Sequence, residues 1–291
     1  MSNKPIERVA VIGAGTMGAG IAQVSAAAGW RVCLQDVQPA QLDRARDGVH
    51  ASLERLVGKG KLTADERDAI VSRIEYLPSL ESSVRAADVV IEAVPEKIEL
   101  KTEIFRAVDT HAPAQALLAT NTSSLSVTQI ASAVKDPSRV VGLHFFNPVP
   151  IMELVEIVRG IRTAEPRIEA ALAFVKALGK TAVVVRDFPG FATSRLGVIL
   201  GCEAMRMLEQ GVASAEDIDR AMELGYRHPM GPLKLTDLVG LDVRLAILDH
   251  LHREIGEQFR PPAILRQMVR AGKLGKKSGE GFYVWPEAAR K

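Results

Sequence analysis

The stretch that decides the fold is residues 8–18, which read RVAVIGAGTMG. The apolar first half predicts a buried β-strand and a helix-like run starts at Thr16, so a G-x-G-x-x-G pattern lies between a strand and a helix. In that context Gly13 allows a tight turn, Gly15 lets a pyrophosphate approach the backbone, and Gly18 lets the helix pack closely on the strand. The amides and the dipole of the helix start then predict a dinucleotide-binding site.

Asp36 is the candidate partner for the adenosine end of that dinucleotide, because it ends the next predicted strand, 21 residues after Gly15. A carboxylate there hydrogen-bonds the ribose hydroxyls and repels a 2′-phosphate, and no Arg or Lys directly follows it, which favours NAD over NADP. The alternative is a plain turn with a surface aspartate. The predicted cofactor residues of this region are Gly13, Gly15, Thr16, Met17, Gly18 and Asp36.

Apolar strand-like runs and helix-like runs alternate through the first two thirds of the chain, which predicts an α/β fold of Rossmann type with a parallel sheet. Two helices are inserted after the second strand, over 39–57 and from a capping box of Thr63 with Glu66. Further strands are predicted over 88–93, 116–119, 139–144, 153–158 and 181–185, with helices over 96–110, 127–133 and 165–178.

The last third of the sequence contains no convincing strand. Its helical periods cover 191–210, 214–224 and 233–257. The sequence therefore predicts a dinucleotide-binding domain over 1–187 and an all-helical domain over 188–291.

The composition of the 291 residues is typical of a globular protein, with 47% hydrophobic and 25% charged residues. A formal net charge of +2 and an aromatic content of 4% argue against a nucleic-acid-binding protein. No apolar run reaches the ~18 residues of a membrane span, and the first residues lack the pattern of a signal peptide. Two distant cysteines, Cys33 and Cys202, favour the reducing cytoplasm, and the six histidines lack metal-site spacing.

His144 ends another predicted strand, and ligands bind outside the carboxyl ends of strands in open α/β sheets. The turn over 145–150 leads into a strand that carries Glu156, so this strand–turn–strand can bring Glu156 beside His144. A carboxylate orients an imidazole and stabilises its protonated form, and such a pair can take the proton of an alcohol whose hydride goes to a nicotinamide. The alternative is a histidine that only packs in the core.

Three other polar segments can each be explained without a function. The segment 121–124, NTSS, can hold a nicotinamide and a substrate oxygen, or it can form the N-cap of the next helix. Ser52 and Lys59 lie in the region of the two inserted helices, where by themselves they indicate a solvated helix face. The run 273–277, KLGKK, by itself indicates a solvated loop.

Together these segments resemble the 3-hydroxyacyl-CoA dehydrogenase family, from Val9 to about Trp285. The resemblance is carried by the motifs at 13–18, 121–124, 142–149 (GLHFFNPV), 229–232 (PMGP), 237–242 (DLVGLD) and 275–283 (GKKSGEGFY). The segments HFFNP and GKKxGxGFY are highly specific, and chance does not supply both in this order after a glycine motif. The resemblance implies an NAD-binding domain followed by a helical domain that closes the cleft and forms a homodimer.

The resemblance also implies individual roles. His144 is the general base toward the 3-hydroxyl, Glu156 orients it, and Ser123 hydrogen-bonds the substrate oxygen. The residues placed around the nicotinamide and its ribose are Glu96, Lys101, Asn121 and Asn147, with Lys277 reaching the cofactor from the second domain. Ser52 and Lys59 keep the spacing of contacts to the adenine-phosphate end of CoA, which gives the inserted helices a function.

One position departs from the family pattern. Residues 189–195 read PGFATSR where the family has Pro-Gly-Phe-x-x-Asn-Arg, so Ser194 replaces the Asn that contacts the substrate near its thioester carbonyl. Serine is shorter but still donates one hydrogen bond, directly or through water. We expect an active enzyme with altered carbonyl contacts or acyl preference. The alternative is a polar residue in the first turn of a helix.

The sequence thus predicts a cytoplasmic, NAD-dependent enzyme of fatty acid metabolism that reversibly oxidises L-3-hydroxyacyl-CoA to 3-ketoacyl-CoA. A short acyl chain, such as that of 3-hydroxybutyryl-CoA, is the default substrate, and no metal, nucleic-acid or membrane partner is expected. Two other classes stay open: a dehydrogenase of a free hydroxy or sugar acid, and a non-catalytic NAD-binding protein. The CoA-spaced Ser52 and Lys59 argue against the first, and His144, Glu156 and Ser123 argue against the second.

Overall fold

The computed structural model of the protein describes residues 6–286. The chain divides into two compact units, Met1–Phe188 and Pro189–Lys291. The first unit is a sheet with helices, and the second is built of helices. Within residues 6–286, none of the helices combines the length and the apolar character that crossing a bilayer requires.

The first unit alternates strands with helices, as the sequence predicts for an α/β fold. Its strands are β1 (Arg8–Ile12), β2 (Arg31–Gln35), β3 (Ile74–Leu77), β4 (Val89–Glu92), β5 (Leu117–Thr120), β6 (Val140–Phe145), β7 (Leu154–Arg159) and β8 (Thr181–Arg186). Its helices are α1 (Thr16–Ala27), α2 (Pro39–Gly58), α3 (Ala64–Ser72), α4 (Leu80–Val84), α5 (Ile98–His111), α6 (Val127–Ala131) and α7 (Glu165–Ala177).

The strands form one sheet in the order β3-β2-β1-β4-β5-β6-β7-β8. All neighbouring pairs are parallel except β6 and β7, which are antiparallel, so the sheet is mixed rather than wholly parallel. Ile12 is in register with both Gln35 and Glu92, and Glu92 with Thr120. Parallel register therefore places the carboxyl ends of β1, β2, β4 and β5 at one edge of the sheet, where ligands bind in such folds.

The core of this unit follows from its β-branched and apolar strands. Every residue of β4, β5 and β6 is buried, as expected for strands that are covered on both faces. Trp30 and Phe174 stack with their ring centroids 4.8 Å apart, and Phe174 is fully buried. Truncation of such a phenylalanine to alanine typically costs about 3–5 kcal/mol of stability.

The segment between β2 and β4 is richer than predicted. The inserted helices are confirmed, and so is the capping box: Glu66 Oε2 accepts a hydrogen bond from the Thr63 amide at 2.8 Å, and Thr63 Oγ1 accepts one from the Glu66 amide at 3.2 Å. The strand β3 and the short helix α4 were not predicted from the sequence. The reason is length, because four residues with one charge give too short an alternation to identify a strand.

The second unit contains five α-helices within the described residues. They are α8 (Thr193–Glu209), α9 (Ala215–Gly225), α10 (Pro232–Val239), α11 (Leu241–Glu254) and α12 (Ala263–Arg270). The helical period predicted over 233–257 forms two helices, because Gly240 has φ +104° and separates α10 from α11. Apolar side chains from these helices, including Val198, Leu233 and Leu248, form a core of their own.

Candidate active site

The glycine loop joins β1 to α1, and Thr16 is the first residue of the helix. Gly13 has φ +100°, and a side chain there would place its Cβ 2.8 Å from the carbonyl oxygen of Ala93. A Cβ at Gly18 would overlap the carbonyl group of Gly13, whereas the space around Gly15 is open. The loop's own packing therefore requires the first and third glycines, and the second leaves room where phosphates would meet the helix amides.

Asp36 follows β2 and lines a cavity of about 490 Å³ beside the glycine loop. Its Oδ2 accepts a hydrogen bond from the Ala14 amide at 2.9 Å, and its Oδ1 accepts one from the Gln38 amide at 2.9 Å. These bonds hold the carboxylate against the loop, and each oxygen still has a lone pair for a hydroxyl group. Met17 lines the same cavity. This arrangement suits the adenosine ribose of a dinucleotide.

A second cavity, of about 400 Å³, shares Gly15 and Thr16 with the first. Ser52 of α2 lines it, and so does Asn147 from the turn after β6. The structure therefore brings these two predicted site residues to the glycine loop, although they lie far apart in the sequence.

At two basic residues of the α2 region the structure differs from the prediction. Lys59 follows the end of α2, is exposed, and is not among the described residues that line either cavity. Arg44 lines the second cavity but was not singled out. A basic residue on an amphipathic helix gives no signal in the sequence that separates it from an ordinary solvated face.

A cluster of charged residues lies at the end of β4 and the start of α5. The Lys101 ammonium contacts Glu92 Oε1 at 2.7 Å and Glu96 Oε2 at 3.2 Å, and the side chains of Lys101 and Glu92 are each 1% exposed. Glu92 also accepts hydrogen bonds from the Thr120 hydroxyl and the Val94 amide, each at 2.7 Å. Glu92 was not predicted as a site residue, because a single charge at the end of an apolar strand looks like the start of a loop.

The two carboxylates of this cluster respond differently to their surroundings. Burial raises the pKa of Glu92, although Lys101 and the hydrogen bonds from Thr120 and Val94 oppose the shift. Burial also acts on Glu96, but there Lys101 and the hydrogen bonds from the neighbouring loop outweigh it and lower the pKa. The surroundings of Glu96 therefore favour its charged form.

The loop over 121–124 wraps around that carboxylate. Glu96 Oε1 accepts hydrogen bonds from the Thr122 hydroxyl at 2.5 Å, the Ser123 amide at 2.8 Å and the Ser124 amide at 3.1 Å. The hydroxyls of Ser123 and Ser124 are each 3.3 Å from the same oxygen. The interpretation of this segment as a helix N-cap is wrong, because Ser126 caps α6.

Asn121 connects the end of β5 to the end of β6. Its Oδ1 accepts a hydrogen bond from the Phe145 amide at 2.9 Å. The bond fixes the Asn121 amide next to the strand residue that follows His144, so both side chains belong to the same edge of the sheet.

His144 and Glu156 lie directly opposite each other in the antiparallel pair β6–β7. The His144 Nδ1 is 2.7 Å from Glu156 Oε2, which confirms that the strand–turn–strand brings the two residues together. His144 is 6% exposed and Glu156 is fully buried, and the Phe146 ring lies 4.4 Å from the imidazole, centroid to centroid. A carboxylate at Nδ1 assigns the proton to that nitrogen, and Nε2 is then the atom that can take a proton from a substrate.

Two predicted site residues lie in the second unit. Ser194 is in the first turn of α8 and is partly exposed. Lys277 lies in a short 3₁₀ turn, and its ammonium contacts both carboxylate oxygens of Asp242, at 2.5 and 2.6 Å. The contact of Lys277 with the cofactor remains a prediction.

Asp237 of α10 explains why the segment 275–283 is so specific in sequence. Its carboxylate accepts hydrogen bonds from the amides of Phe282 and Tyr283 and from the Trp285 indole, each at 2.9 Å. The backbone of Gly275 lies so close to Asp237 that a Cβ could not be accommodated. The motif is therefore required by packing within the second unit.

The polar groups of the first unit thus combine a dinucleotide cradle with a proton acceptor at the same edge of the sheet. Within residues 6–286, no group of three or more His, Cys, Asp or Glu side chains is arranged to hold a metal ion. The arrangement suits proton transfer beside a bound dinucleotide.

Comparison with known proteins adds the family. Models described as "3-hydroxyacyl-CoA dehydrogenase, NAD binding domain" and "3-hydroxyacyl-CoA dehydrogenase, C-terminal domain" match residues 8–188 and 190–285. A "Probable 3-hydroxybutyryl-CoA dehydrogenase" of Bacillus subtilis is 45% identical over 283 residues, which cover 97% of this chain and 98% of that protein.

Two other similar proteins differ in the acyl group that their names give. A "3-hydroxyadipyl-CoA dehydrogenase" of Escherichia coli is 44% identical over 282 residues, 96% of this chain and 59% of that protein. The crystal structure of the (S)-3-hydroxybutyryl-CoA dehydrogenase PaaH1 from Ralstonia eutropha has a TM-score of 0.93 at 40% identity, and the match covers 97% of this chain and 99% of that chain.

Proposed function

The chain belongs to the 3-hydroxyacyl-CoA dehydrogenase family, and we propose that it oxidises short-chain L-3-hydroxyacyl-CoA with His144 as the general base. The activity of the family is the NAD-dependent oxidation of a CH–OH group, and this is the activity of the chain. The assignment of His144 is supported by the 2.7 Å contact of its Nδ1 with the buried Glu156 at the ligand-binding edge of the sheet.

The residues of the first unit suit NAD. Open space at Gly15 and the α1 amides accept the pyrophosphate, and Asp36 accepts the hydroxyls of the adenosine ribose. Bound NAD supplies the acceptor for the hydride that leaves C3 of the substrate. The residues that we place around the nicotinamide half are Glu96, Lys101, Asn121, Asn147 and Lys277.

His144 moves the proton. Its Nε2 takes the proton of the 3-hydroxyl, while Glu156 holds the Nδ1–H and stabilises the imidazolium that forms. Oxidation therefore needs the neutral imidazole, and reduction needs the protonated one. Glu156 acts through His144 and is a positioning residue.

Serines position the reacting end of the substrate. The Ser123 amide is bound to Glu96 at 2.8 Å, which holds the serine in place so that its hydroxyl can donate to the substrate oxygen. We assign to Ser194, which stands in the first turn of α8, a hydrogen bond near the thioester carbonyl.

The CoA end of the substrate is assigned to the α2 region. Ser52 lines the cavity next to the glycine loop, and Lys59 adds an exposed positive charge beyond the helix. Similar proteins with names that specify a 3-hydroxybutyryl group support a short acyl chain. A free hydroxy acid has no CoA arm for these residues to bind.

The two domains have different roles in the proposed function. We assign NAD binding to 1–187, and substrate contacts and dimer formation to 188–291. Support for the dimer comes from apolar side chains that the second unit exposes, because large exposed apolar patches mark protein interfaces. They are Leu196, Leu200, Leu224, Tyr226, Leu235, Leu238, Val239 and Val243. The free thiols Cys33 and Cys202 favour the reducing cytoplasm.

The test of the proposed function is the loss of NADH absorbance with acetoacetyl-CoA, against free acetoacetate and a control without substrate. We expect turnover with acetoacetyl-CoA alone. Turnover with free acetoacetate would favour a hydroxy-acid dehydrogenase, and no turnover with either would contradict the proposal.

A further inference from the structure

The turn over 147–152, which carries Asn147, has little packing to fix its position in the first unit. Val149 is its one buried residue, and the others are exposed. The turn lines the cavity of about 400 Å³ beside the glycine loop and, through Pro150 and Ile151, a further cavity of about 500 Å³. Because two cavities border this segment, contacts other than close packing have to hold it in place.

Backbone hydrogen bonds close the turn on itself without attaching it to the sheet. The amides of Ile151 and Met152 both donate to the carbonyl oxygen of Pro148, at 2.9 and 3.0 Å. The side chain of Asn147 makes no hydrogen bond with another residue of the described range 6–286. The position of its amide therefore depends on where the backbone of the turn lies.

Lys180 supplies the hydrogen bonds that attach the turn. Its ammonium donates to the carbonyl oxygen of Val149 at 2.7 Å and to that of Met152 at 2.6 Å. Charge-assisted bonds of this length are about twice as strong as bonds between neutral groups. Among the residues that the structure describes, all hydrogen bonds from 147–152 to other segments come from this ammonium.

The backbone of Lys180 is itself held on both sides. The helix α7 ends in a Schellman motif, in which Gly179 has φ +71° and the Lys180 amide donates to the Val175 carbonyl at 3.2 Å. The strand β8 starts at the next residue, where the Thr181 amide donates to the Glu153 carbonyl at 2.8 Å. The lysine side chain therefore reaches the turn from a fixed base.

One apolar contact also supports the turn, but it acts at a single point. Val149 packs so closely on α1 that a Cβ at Gly20 would lie 2.9 Å from the Val149 Cβ. A contact at one residue leaves the rest of a turn free to pivot. The ammonium of Lys180 binds carbonyls three residues apart, so it also fixes the orientation of the turn.

We propose that Lys180 is a positioning residue for the nicotinamide half of NAD, and that it acts through Asn147. The ammonium fixes the turn, and the turn holds the Asn147 amide at the cavity that it lines together with Gly15 and Thr16. This inference rests on the proposed function, which places Asn147 around the nicotinamide and its ribose. Without the two bonds, the turn moves into the space beside it and takes Asn147 away from the cofactor.

The experiment measures the reduction of acetoacetyl-CoA by NADH in Lys180→Met, which keeps an aliphatic side chain and removes both hydrogen bonds. A misplacement of about 1 Å can cost about 10²-fold, so kcat/KM for NADH should fall about 10- to 100-fold, while the KM for acetoacetyl-CoA stays within about threefold. Lys180→Arg keeps a charged donor and should restore kcat/KM for NADH to within about threefold of the wild type. The matched control is Lys176→Met, at an exposed lysine of α7, which should change neither value.

A double-mutant cycle tests whether the effect passes through Asn147. Asn147→Ala removes the amide that the turn holds. In that background Lys180→Met should lower kcat/KM for NADH by no more than about twofold, because the group it positions is already absent. Fluorescence titration with NADH makes the same comparison for binding alone and needs no turnover: Lys180→Met should weaken binding in the wild-type background and not in that of Asn147→Ala.

The outcomes separate the two proposals. If the wild type does not reduce acetoacetyl-CoA, the proposed function fails, and the NADH titration still decides the role of Lys180. A lower thermal midpoint of Lys180→Met, with kinetic constants and an NADH affinity like those of the wild type, would show that the lysine only stabilises the fold and would overturn the proposal. Losses that add in the double variant, or a Lys180→Arg as impaired as Lys180→Met, would overturn it as well.

Discussion

The buried ion pairs of the first unit and Arg244 of the second unit differ in how their charge is compensated. In the first unit the buried Lys101 contacts the buried Glu92 and the more exposed Glu96, and the buried His144 contacts Glu156, so each buried group has a partner. In the second unit Arg244 of α11 is also buried, its Nε has no hydrogen-bond partner, and burial lowers its pKa to about 10. The first pattern fixes groups in a geometry that chemistry requires. The second pattern leaves a buried charge whose desolvation lowers the stability of the folded unit.

The paired side of this comparison is tested most strongly at His144. Loss of a general base typically lowers the rate about 10²–10⁴-fold, and His144→Ala should lose kcat to that extent with acetoacetyl-CoA. His111→Ala, at an exposed histidine of α5, is the matched control and should keep full activity. Turnover of His144→Ala close to that of the control would contradict the assignment.

Lys101 tests whether the pairing in the first unit is structural as well as functional. Lys101→Met leaves the buried carboxyl group of Glu92 without its cation, and removal of one partner from a buried ion pair costs about 3–5 kcal/mol. Urea denaturation should show this loss in the free energy of unfolding. Lys61→Met, at an exposed lysine, should show almost none. Equal stabilities for the two variants would mean that the cluster contributes nothing to folding.

Glu156 sharpens the role of the carboxylate. Glu156→Gln keeps a hydrogen-bond acceptor at His144 Nδ1 but removes the charge that stabilises the imidazolium. We expect kcat to fall about 10- to 100-fold, as for other groups that orient a functional histidine. The pH profile of oxidation should move to lower pH, because the neutral imidazole becomes easier to form. A lower rate with an unmoved profile would show that Glu156 only fills space.

Arg244 tests the unpaired side, and the sign of the effect is opposite to that at Lys101. Arg244→Met replaces a buried cation by an apolar side chain of similar length, and in the absence of substrate it should raise the free energy of unfolding by about 1–2 kcal/mol. The measurement is urea denaturation of the free enzyme. The control is Arg220→Met, at an exposed arginine of α9, which should leave the free energy of unfolding almost unchanged. A destabilised Arg244→Met would mean that the guanidinium already has a stabilising partner.

Glu96 gives the smallest effect, and it depends on pH. Because its folded pKa lies below the ordinary value of 4.5, the stability it contributes is fully present above that value and is lost as the pH falls through the folded pKa. Glu96→Gln should therefore cost about 1 kcal/mol at pH 7 and progressively less in acid. Denaturation curves at several pH values measure the difference, and a difference independent of pH would contradict the shifted pKa.

The sequence predicts the edge of the sheet better than it predicts what is buried there. Gly13–Gly18, Asp36 and the pairing of His144 with Glu156 follow from spacing, because strands and turns of those lengths have few alternatives. The roles of Ser123 and of the CoA-contacting residues rest on the family resemblance, since spacing alone does not distinguish them from ordinary turn or surface residues.

The features that the sequence did not predict depend on tertiary contacts. Glu92 is buried and bonded to Lys101 and Thr120, and each of the three lies on a different element. Gly240 lies inside the helical period over 233–257, and its φ of +104° decides that two helices form there. Arg244 looks like one more polar residue of an amphipathic helix, and only the packing of α11 against α8 shows that it is buried.

The central step of the proposed mechanism is the transfer of the substrate proton to His144. The most direct measurement is kcat/KM for oxidation of 3-hydroxybutyryl-CoA and for reduction of acetoacetyl-CoA, each as a function of pH. If His144 is the base, oxidation rises with pH and levels off once the imidazole is neutral, and reduction falls over the same range. Profiles that are flat in both directions, or that move together, would contradict it.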